Sequence, residues 1–408
     1  MAEAVLAAGG EKQTRVVLAL GTAQTLGWGS TYYLPAILAA PMAAEFGVST
    51  AWIYGAFSLA MLLTAFIGPS VGGHIDRFGG RNVLVLSSLV FAAGLALLGA
   101  ASNLTLFFLA WLLIGAGMAI GLYEAAFATL AAIYGSNARR AITGITLLAG
   151  FASTICWPIT AFVDAEWGWR ATCFVWAGAH LLIGLPLNRL LIPRRLGAHI
   201  AAPAAQPSPA SAANVPAADE SIFSRAMVLM AFAFAVTWIT STAMAAHLPG
   251  ILEAAGASKA EAIAAAALVG PAQVAARFLE YSVLQRFHPL LSARLASITH
   301  PLGVALLLLF GGPLAYLFTL LHGAGNGVMT IAKGTLPLAL FGPQGYGRRQ
   351  GWLVAPARFG QAASPFVFAF LLERFGSHVL LFSSALCLAG FVAMLLLRMP
   401  PPADPAAS

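Results

Sequence analysis

Between Leu104 and Tyr134 the chain carries a single charged side chain, Glu124. Apolar runs of this kind recur along almost the whole sequence, and they leave few folds open. Hydrophobic residues make up 60% of the chain and charged residues 9%, whereas a soluble domain spends about a quarter of its residues on charge. A run of roughly 20 apolar residues spans a bilayer as a helix, because lipid offers the backbone no hydrogen-bond partner outside the segment itself. The runs predict an all-α membrane protein with twelve transmembrane helices, over residues 15–41, 51–74, 82–102, 104–134, 139–163, 168–192, 223–252, 258–285, 289–311, 313–342, 349–373 and 376–399.

The runs fall into two sets of six. Between them lies the Ala/Pro/Ser-rich stretch "GAHIAAPAAQPSPASAANVPAADE", which cannot bury a core and reads as a linker. The expected organisation is an N-terminal six-helix bundle over 1–195, a flexible linker over 196–222, a C-terminal bundle over 223–400 and a tail over 401–408. The halves echo one another, as in an internally duplicated membrane protein. "LPAIL" at Leu34 answers "LPGIL" at Leu248, and "IGPS" at Ile67 answers "VGPA" at Val269. Tyr134-Gly135 precedes Arg139-Arg140 as Tyr346-Gly347 precedes Arg348-Arg349.

Basic residues set the orientation. With a cytoplasmic amino terminus, fifteen of them, including Arg77, Arg81, Arg139, Arg140, Arg348 and Arg349, fall inside, and only Arg170, Lys259 and Arg374 fall outside. Both termini are therefore expected in the cytoplasm. The first fifteen residues lack the pattern of a cleaved signal peptide. Arginine outnumbers lysine eighteen to three and alanine is abundant, a composition of GC-rich bacterial genes that points to a bacterial inner membrane.

The net charge of +7 does not mark a nucleic-acid binder, since the basic residues punctuate hydrophobic spans instead of clustering. Cys156, Cys173 and Cys387 all lie in apolar runs, so neither a disulfide framework nor a metal site is expected. No phosphate-cradling GxxxxGK loop is present, which argues against ATP-driven transport by this chain. His247, His300 and His322 lie in different spans without an HExxH arrangement or a Ser-centred elbow, so no enzyme and no cofactor are expected.

Between the second and third spans stands "GGHIDRFGGRN". Gly72, Asp76, Arg77, Gly79 and Arg81 occupy the places of the loop motif of the major facilitator superfamily, which the chain resembles over nearly its whole length. The resemblance implies two pseudo-symmetric six-helix bundles and a gate at this loop. Glycines allow a tight turn there, and Asp76 can accept from helix amino termini to latch a closed state. The last basic place of the motif is held by Asn82, and the second copy, "EYSVLQRFHP", is degenerate. Drug/proton antiporters of the superfamily carry an arginine where "WLLIGAG" has Trp111, and a Gly-Pro pattern where this chain has "CWPITAF". Both departures lower that reading.

The resemblance also places the first, fourth, seventh and tenth spans around a central cavity. Polar residues at helical spacing add faces: Gln24, Trp28, Thr31 and Tyr32 in the first span, and His322, Asn326, Thr330 and Lys333 in the tenth. Hydroxyls in such stripes often only glue helices together. Buried charges are better markers, because each costs ~2.5–3.5 kcal/mol or more near the bilayer centre unless it is partnered. Glu124 and Lys333 occupy equivalent spans at similar depth and are expected to meet as a coupling pair; the structural alternative packs Glu124 against another helix. Arg277 and Glu280, three apart, could pair locally.

Arg277, Lys333 and Arg358 outnumber Glu124 and Glu280 inside the spans. An arginine fork suits a carboxylate. The resemblance is closest to the monocarboxylate and oxalate/formate branches, which it implies hold their anion with basic residues of spans 8 and 11, here Arg277 and Arg358. The sequence therefore reads as a monomeric secondary transporter in the lipid bilayer. It moves a small organic anion by alternating access, held by Arg277 and Arg358 with Gln24, Tyr32 and Asn326, and coupled to protons through Glu124 and Lys333. The alternative reading is an exporter of a neutral or cationic drug or toxicant.

Overall fold

The computed structural model describes residues 2–194 and 224–397. The expected linker over 196–222 and tail over 401–408 lie outside the described residues. Fifteen α-helices and no strands occur among the described residues. In the first part of the chain they are α1 Ala2–Gly27, α2 Pro35–Phe46, α3 Thr50–Phe78, α4 Arg81–Ala100, α5 Leu104–Gly121, α6 Tyr123–Tyr134, α7 Ala138–Ala149 and α8 Ala152–Ala179. The second part holds α9 Arg225–Ala254, α10 Lys259–Ala267, α11 Val269–Ser282, α12 Pro289–Phe310, α13 Ala315–Phe341, α14 Tyr346–Phe375 and α15 Val379–Leu396.

Among the described residues eight helical stretches are long and apolar enough to cross a membrane. The count falls below twelve because Leu104–Leu191 covers three expected spans, Tyr346–Leu396 covers two, and the first expected span is not among the eight. Gly168, with φ +79, makes the turn inside α8 that separates the fifth expected span from the sixth. The first expected span is built from α1, a π turn over Trp28–Tyr32, and α2. Helix starts follow local chemistry. Asn103 Oδ1 accepts from the Leu106 amide at 3.0 Å to begin α5, and Ser258 with Glu261 forms a capping box on α10.

The apolar core divides into clusters. One draws on the helices before the linker, around Trp111, Phe107 and Phe91, and one, around Phe127, Ile142 and Ile145, also takes in Leu338 and Tyr346 from beyond it. Two draw on the helices after it, around Phe234 and Met329 and around Phe318 and Phe368. Phe66, Leu182, Leu190, Leu309 and Phe310 point outward, more than 60% exposed, as lipid-facing side chains do.

The two sets of helices meet closely along α3 and α14. Small residues make that approach possible: a Cβ at Gly72 would run into the Gly347 carbonyl, and one at Gly351 would meet the backbone of Pro69. At the same end of the seam, Asp76 of the loop motif accepts from two amides in the first turn of α14, Gly347 at 2.8 Å and Arg348 at 2.9 Å. These amides have no partner within their own helix, and the carboxylate meets the positive end of the α14 dipole. A second link lies beside it. Arg139 pairs with Glu280 at 3.1 Å and donates to the Phe287 carbonyl at 2.6 Å, while Ser292 donates to the other Glu280 oxygen at 2.7 Å.

Glu280 therefore pairs with Arg139 across the two sets of helices and not with Arg277 on its own helix. The local Arg277–Glu280 pair, one of the readings open in the sequence, is not formed. At the membrane face opposite the motif, Glu45 is held by Arg170 at 2.7 Å and by the Trp169 indole at 2.6 Å. The hydrogen bonds from Arg170 lower the pKa of this carboxyl below its usual range. The glycine seam and the Asp76 cap predict that Asp76→Ala lowers the stability of the purified protein by about 1–3 kcal/mol, because two charge-assisted bonds are lost and two amides are orphaned. Thermal unfolding checks this, and an unchanged midpoint contradicts it.

Candidate functional site

The site begins at a break in a helix. Glycines at 117 and 121 let α5 press against Phe91 and Ser87, where a Cβ would sit 2.7 Å from its neighbours. Just beyond, Leu122 is extended (φ −86, ψ −167), and α6 starts afresh at Tyr123. A break at membrane depth frees polar backbone that lipid cannot satisfy. Gln24 of α1 answers it, donating from Nε2 to the Gly121 carbonyl at 2.6 Å while only 1% exposed. The break also puts Glu124 in the first turn of α6, at the positive end of that helix.

Glu124 Oε1 accepts from Arg358 Nη2 of α14 at 3.0 Å, with the arginine side chain 4% exposed and the glutamate 17%. The arginine is held on its other side by Gln361 Oε1 at 3.2 Å. Gln361 in turn donates to Thr242 at 3.1 Å and to the Tyr32 hydroxyl at 3.5 Å. The Arg358 guanidinium also lies 4.5 Å from the ring centre of Trp238, and the Lys333 ammonium lies 3.9 Å from the same ring. Lys333 is 3% exposed, and among the described residues its Nζ has no hydrogen-bond partner.

Around this group stands an aromatic wall. Tyr32 meets Trp28 and Phe57 edge-on at 5.0 and 5.4 Å, and Trp28 leans on Tyr123 at 4.9 Å. The π turn over Trp28–Tyr32 places both rings on this side of α1. The pair itself faces a small space lined by Thr64, Gly68, Met118, Ala119 and Gly351.

The predicted residues thus separate into groups. Glu124 and Lys333 share a neighbourhood, yet the carboxylate takes Arg358 as its partner and Lys333 takes the face of Trp238. Tyr32 belongs to the same group through Gln361. Arg277 makes no contact with the pair, although it lies near enough to act electrostatically on Lys333 and Tyr123: its guanidinium donates to the Thr146 carbonyl in the last turn of α7 at 3.1 Å and to Gln273 at 3.3 Å. A cation there complements a helix carboxyl end, and Gly150 leaves room for it. Asn326 lines a separate pocket with His300, His322 and Thr237. Trp238 and Thr242 were not singled out from the sequence; only the fold shows that one indole serves two cations. Among the described residues no group of three or more His, Cys, Asp or Glu could hold a metal ion, and all three cysteines are buried and unpaired.

Chemically, Trp238 gathers two cations and one carboxylate. Protonation of Glu124, or an incoming carboxylate, can release it from Arg358, so the site can exchange one anionic oxygen for another.

A family model of the Major Facilitator Superfamily matches residues 20–332. Among curated proteins, Monocarboxylate transporter 14 of Mus musculus is 27% identical over 150 residues, which is 36% of this chain and 28% of the relative. Monocarboxylate transporter 14 of Homo sapiens is 28% identical over 122 residues, 30% of this chain and 23% of the relative. Each alignment therefore spans under a third of the relative's length. Among solved structures, the human organic anion transporter MFSD10 (TETRAN) aligns with a TM-score of 0.72 at 17% identity, covering 94% of this chain and 99% of that one. The proton:xylose symporter XylE, bound to 6-bromo-6-deoxy-D-glucose, aligns at 0.73 with 16% identity and 95% of both chains covered. FucP in its outward conformation aligns at 0.70 with 15% identity, covering 94% of this chain and 98% of that one. At these identities the likeness is one of fold.

Breaking the buried pair from one side is expected to be costly. Arg358→Met should destabilise by about 3–5 kcal/mol, since it strands the Glu124 carboxylate. Glu124→Gln in the Arg358→Met background should recover part of that loss. A double-mutant cycle read by unfolding checks the coupling, and strict additivity contradicts it.

Proposed function

This chain belongs to the Major Facilitator Superfamily, and we propose that, as a multi-pass secondary transporter of that family, it carries a small organic anion by alternating access. The observation that carries the reading is the charge balance on Trp238: Arg358 is paired with Glu124, and among the described residues Lys333 has no carboxylate of its own to pair with. An arriving anion supplies the negative charge that a buried, unpartnered Lys333 ammonium needs, and an arginine fork favours a carboxylate. The partial match to a monocarboxylate transporter and the fold shared with an organic anion transporter support the same class.

In this reading the two six-helix halves, 1–195 and 223–400, rock about the central pair, and the linker 196–222 permits the motion. The termini and the loop motif face the cytoplasm of a bacterium, and the protein works as a monomer in the inner membrane. In this reading the motif face is latched. Gly72, Asp76, Arg77, Gly79 and Arg81 form that gate, with the Asp76 cap on α14 and the Arg139–Glu280 pair as its two bonds. The substrate carboxylate takes the place of Glu124 on Arg358, Lys333 completes its neutralisation, and Tyr32 orients it through Gln361. Glu124 leaves the pair as the neutral acid, so a proton travels with the anion. Arg277 and Gln24 act next to the site: one ties α11 to α7, and the other seals the broken helix. Asn326, in the separate pocket beside His322, takes no part in holding the substrate in this reading.

A second reading, export of a cationic or neutral drug, draws on the aromatic wall of Trp28, Tyr32 and Tyr123 beside a carboxylate. Uptake into proteoliposomes separates the two. Wild-type protein should accumulate a radiolabelled small carboxylate when the outside is acid, and Arg358→Ala should lower that uptake at least tenfold. Glu124→Gln should keep anion exchange while losing accumulation driven by the pH gradient. Unchanged proton-driven uptake in Glu124→Gln removes Glu124 from coupling, and uptake of lipophilic cations in place of carboxylates favours the second reading.

A further inference from the structure

A second polar pocket lies within the helices that follow the linker, away from the Glu124–Arg358 pair. It is lined by Thr237, Thr240 and Ser241 of α9, Ser297, Thr299 and His300 of α12, His322 and Asn326 of α13, and Cys387 of α15. Two histidines meet here, both almost fully buried. His300 Nδ1 lies 3.0 Å from His322 Nδ1, and His300 Nε2 lies 3.0 Å from the Ser383 hydroxyl.

The tautomers follow from where Ser383 places its hydroxyl hydrogen, and its bond to Leu380 gives one self-consistent assignment. Ser383 donates its hydroxyl hydrogen to the Leu380 carbonyl at 2.9 Å, so its oxygen is an acceptor for His300 Nε2–H. His300 then has a bare Nδ1, which must accept from His322 Nδ1–H. A neutral imidazole carries one N–H, so His322 Nε2 is left with a free lone pair. Among the described residues nothing hydrogen-bonds that nitrogen, and the pocket at this face has room for about one water.

We propose that His322 Nε2 is a proton-binding site of the second half, separate from Glu124, with His300 and Ser383 as positioning residues that hold the ring in its accepting tautomer. The step is a transfer from hydronium entering through the pocket: an N–H bond forms at Nε2, water is left behind, and neutral His322 becomes imidazolium. Every other bond survives, because His322 Nδ1–H still donates to His300 and His300 Nε2–H still donates to Ser383. A site that gains a proton without rearrangement is pre-organised for it.

The groups facing the pair contain no carboxylate, lysine or arginine among the described residues. His300 comes from α12, Ser383 and Cys387 from α15, and Thr237, Thr240 and Ser241 from α9. α11 meets this turn of α13 through Val269 and Ala272 at Gly323. α10 carries Lys259 and Glu261 on its exposed first turn. α6 and α7 approach α13 near Gly334, and α14 approaches it there and at Lys333, toward the other end of the helix. Among the described residues the neighbours that set the charge of His322 are therefore uncharged, His300 and Cys387 being the titratable ones.

The test needs no substrate, so it stands or falls apart from the anion-transport reading. Nitrogen-15 histidine-labelled protein in lipid nanodiscs is followed by NMR as the pH is lowered from neutral, and the nitrogen–nitrogen coupling across the His300–His322 bond identifies the pair in the unsubstituted protein. At neutral pH one ring should show a protonated Nδ1 and a bare Nε2; on acidification that Nε2 should acquire a hydrogen while the coupling persists. A protonated Nε2 on His322 at neutral pH, or a bare one that stays bare until the protein unfolds, overturns the proposal. Proton uptake by the purified protein over the same range should fall by one per molecule in His322→Gln, and an unchanged count overturns it equally.

Discussion

The Glu124–Arg358 pair is the constraint on which the rest of the architecture turns. Two charges held at membrane depth are tolerable only while they face each other, and removing either one leaves an expensive orphan. The partners come from opposite sides of the linker, so the pair is also a bond between the two sets of helices. Its surroundings follow from that requirement. Gln361 occupies the second arm of the guanidinium, Trp238 covers its face, and the start of α6 supplies a favourable dipole to the carboxylate.

The break at Leu122 is part of the same solution. A continuous helix from Leu104 to Tyr134 would present Glu124 to a mid-helix environment with no free amides and no dipole end. Interrupting it costs backbone hydrogen bonds, and Gln24 restores one of them. The same economy holds at the motif face, where Asp76 satisfies amides that the first turn of α14 cannot satisfy itself. In both places a helix end and a carboxylate complete each other, once in the interior and once at the rim. Lys333, which among the described residues has no carboxylate of its own, gives the anion reading its weight.

Much of this was legible in the residues. The apolar runs gave helices, the GGHIDRFGGRN loop gave the family, and the scarcity of charge inside the spans singled out Glu124, Lys333 and Arg358. The pairing among them was not legible. Depth by residue counting put Glu124 opposite Lys333, but the Leu122 break re-aims the first turn of α6, and Arg358, one helix over, takes the carboxylate. Arg277 and Glu280 looked like a local pair at helical spacing, yet each finds a partner on α7 or at its start, because the glycines at 72, 150, 347 and 351 let the halves approach closely enough for cross-links to outcompete neighbours. Trp238 gave no signal in the chain, since an indole in an apolar run looks like core until two cations are found against it.

The sequence by itself determined that the chain lies in a membrane as helices, where those helices run, and which few charged residues are too costly to be there without a task. Periodicity and hydropathy are local properties, so they survive in one dimension. The tertiary structure alone decided who partners whom: the cap of Asp76 on α14, the Glu124–Arg358 bond, the two basic side chains on Trp238, and the His300–His322–Ser383 hydrogen bonds. Each of these joins segments far apart in the chain, and its energy depends on ångström distances and shared burial that only packing creates.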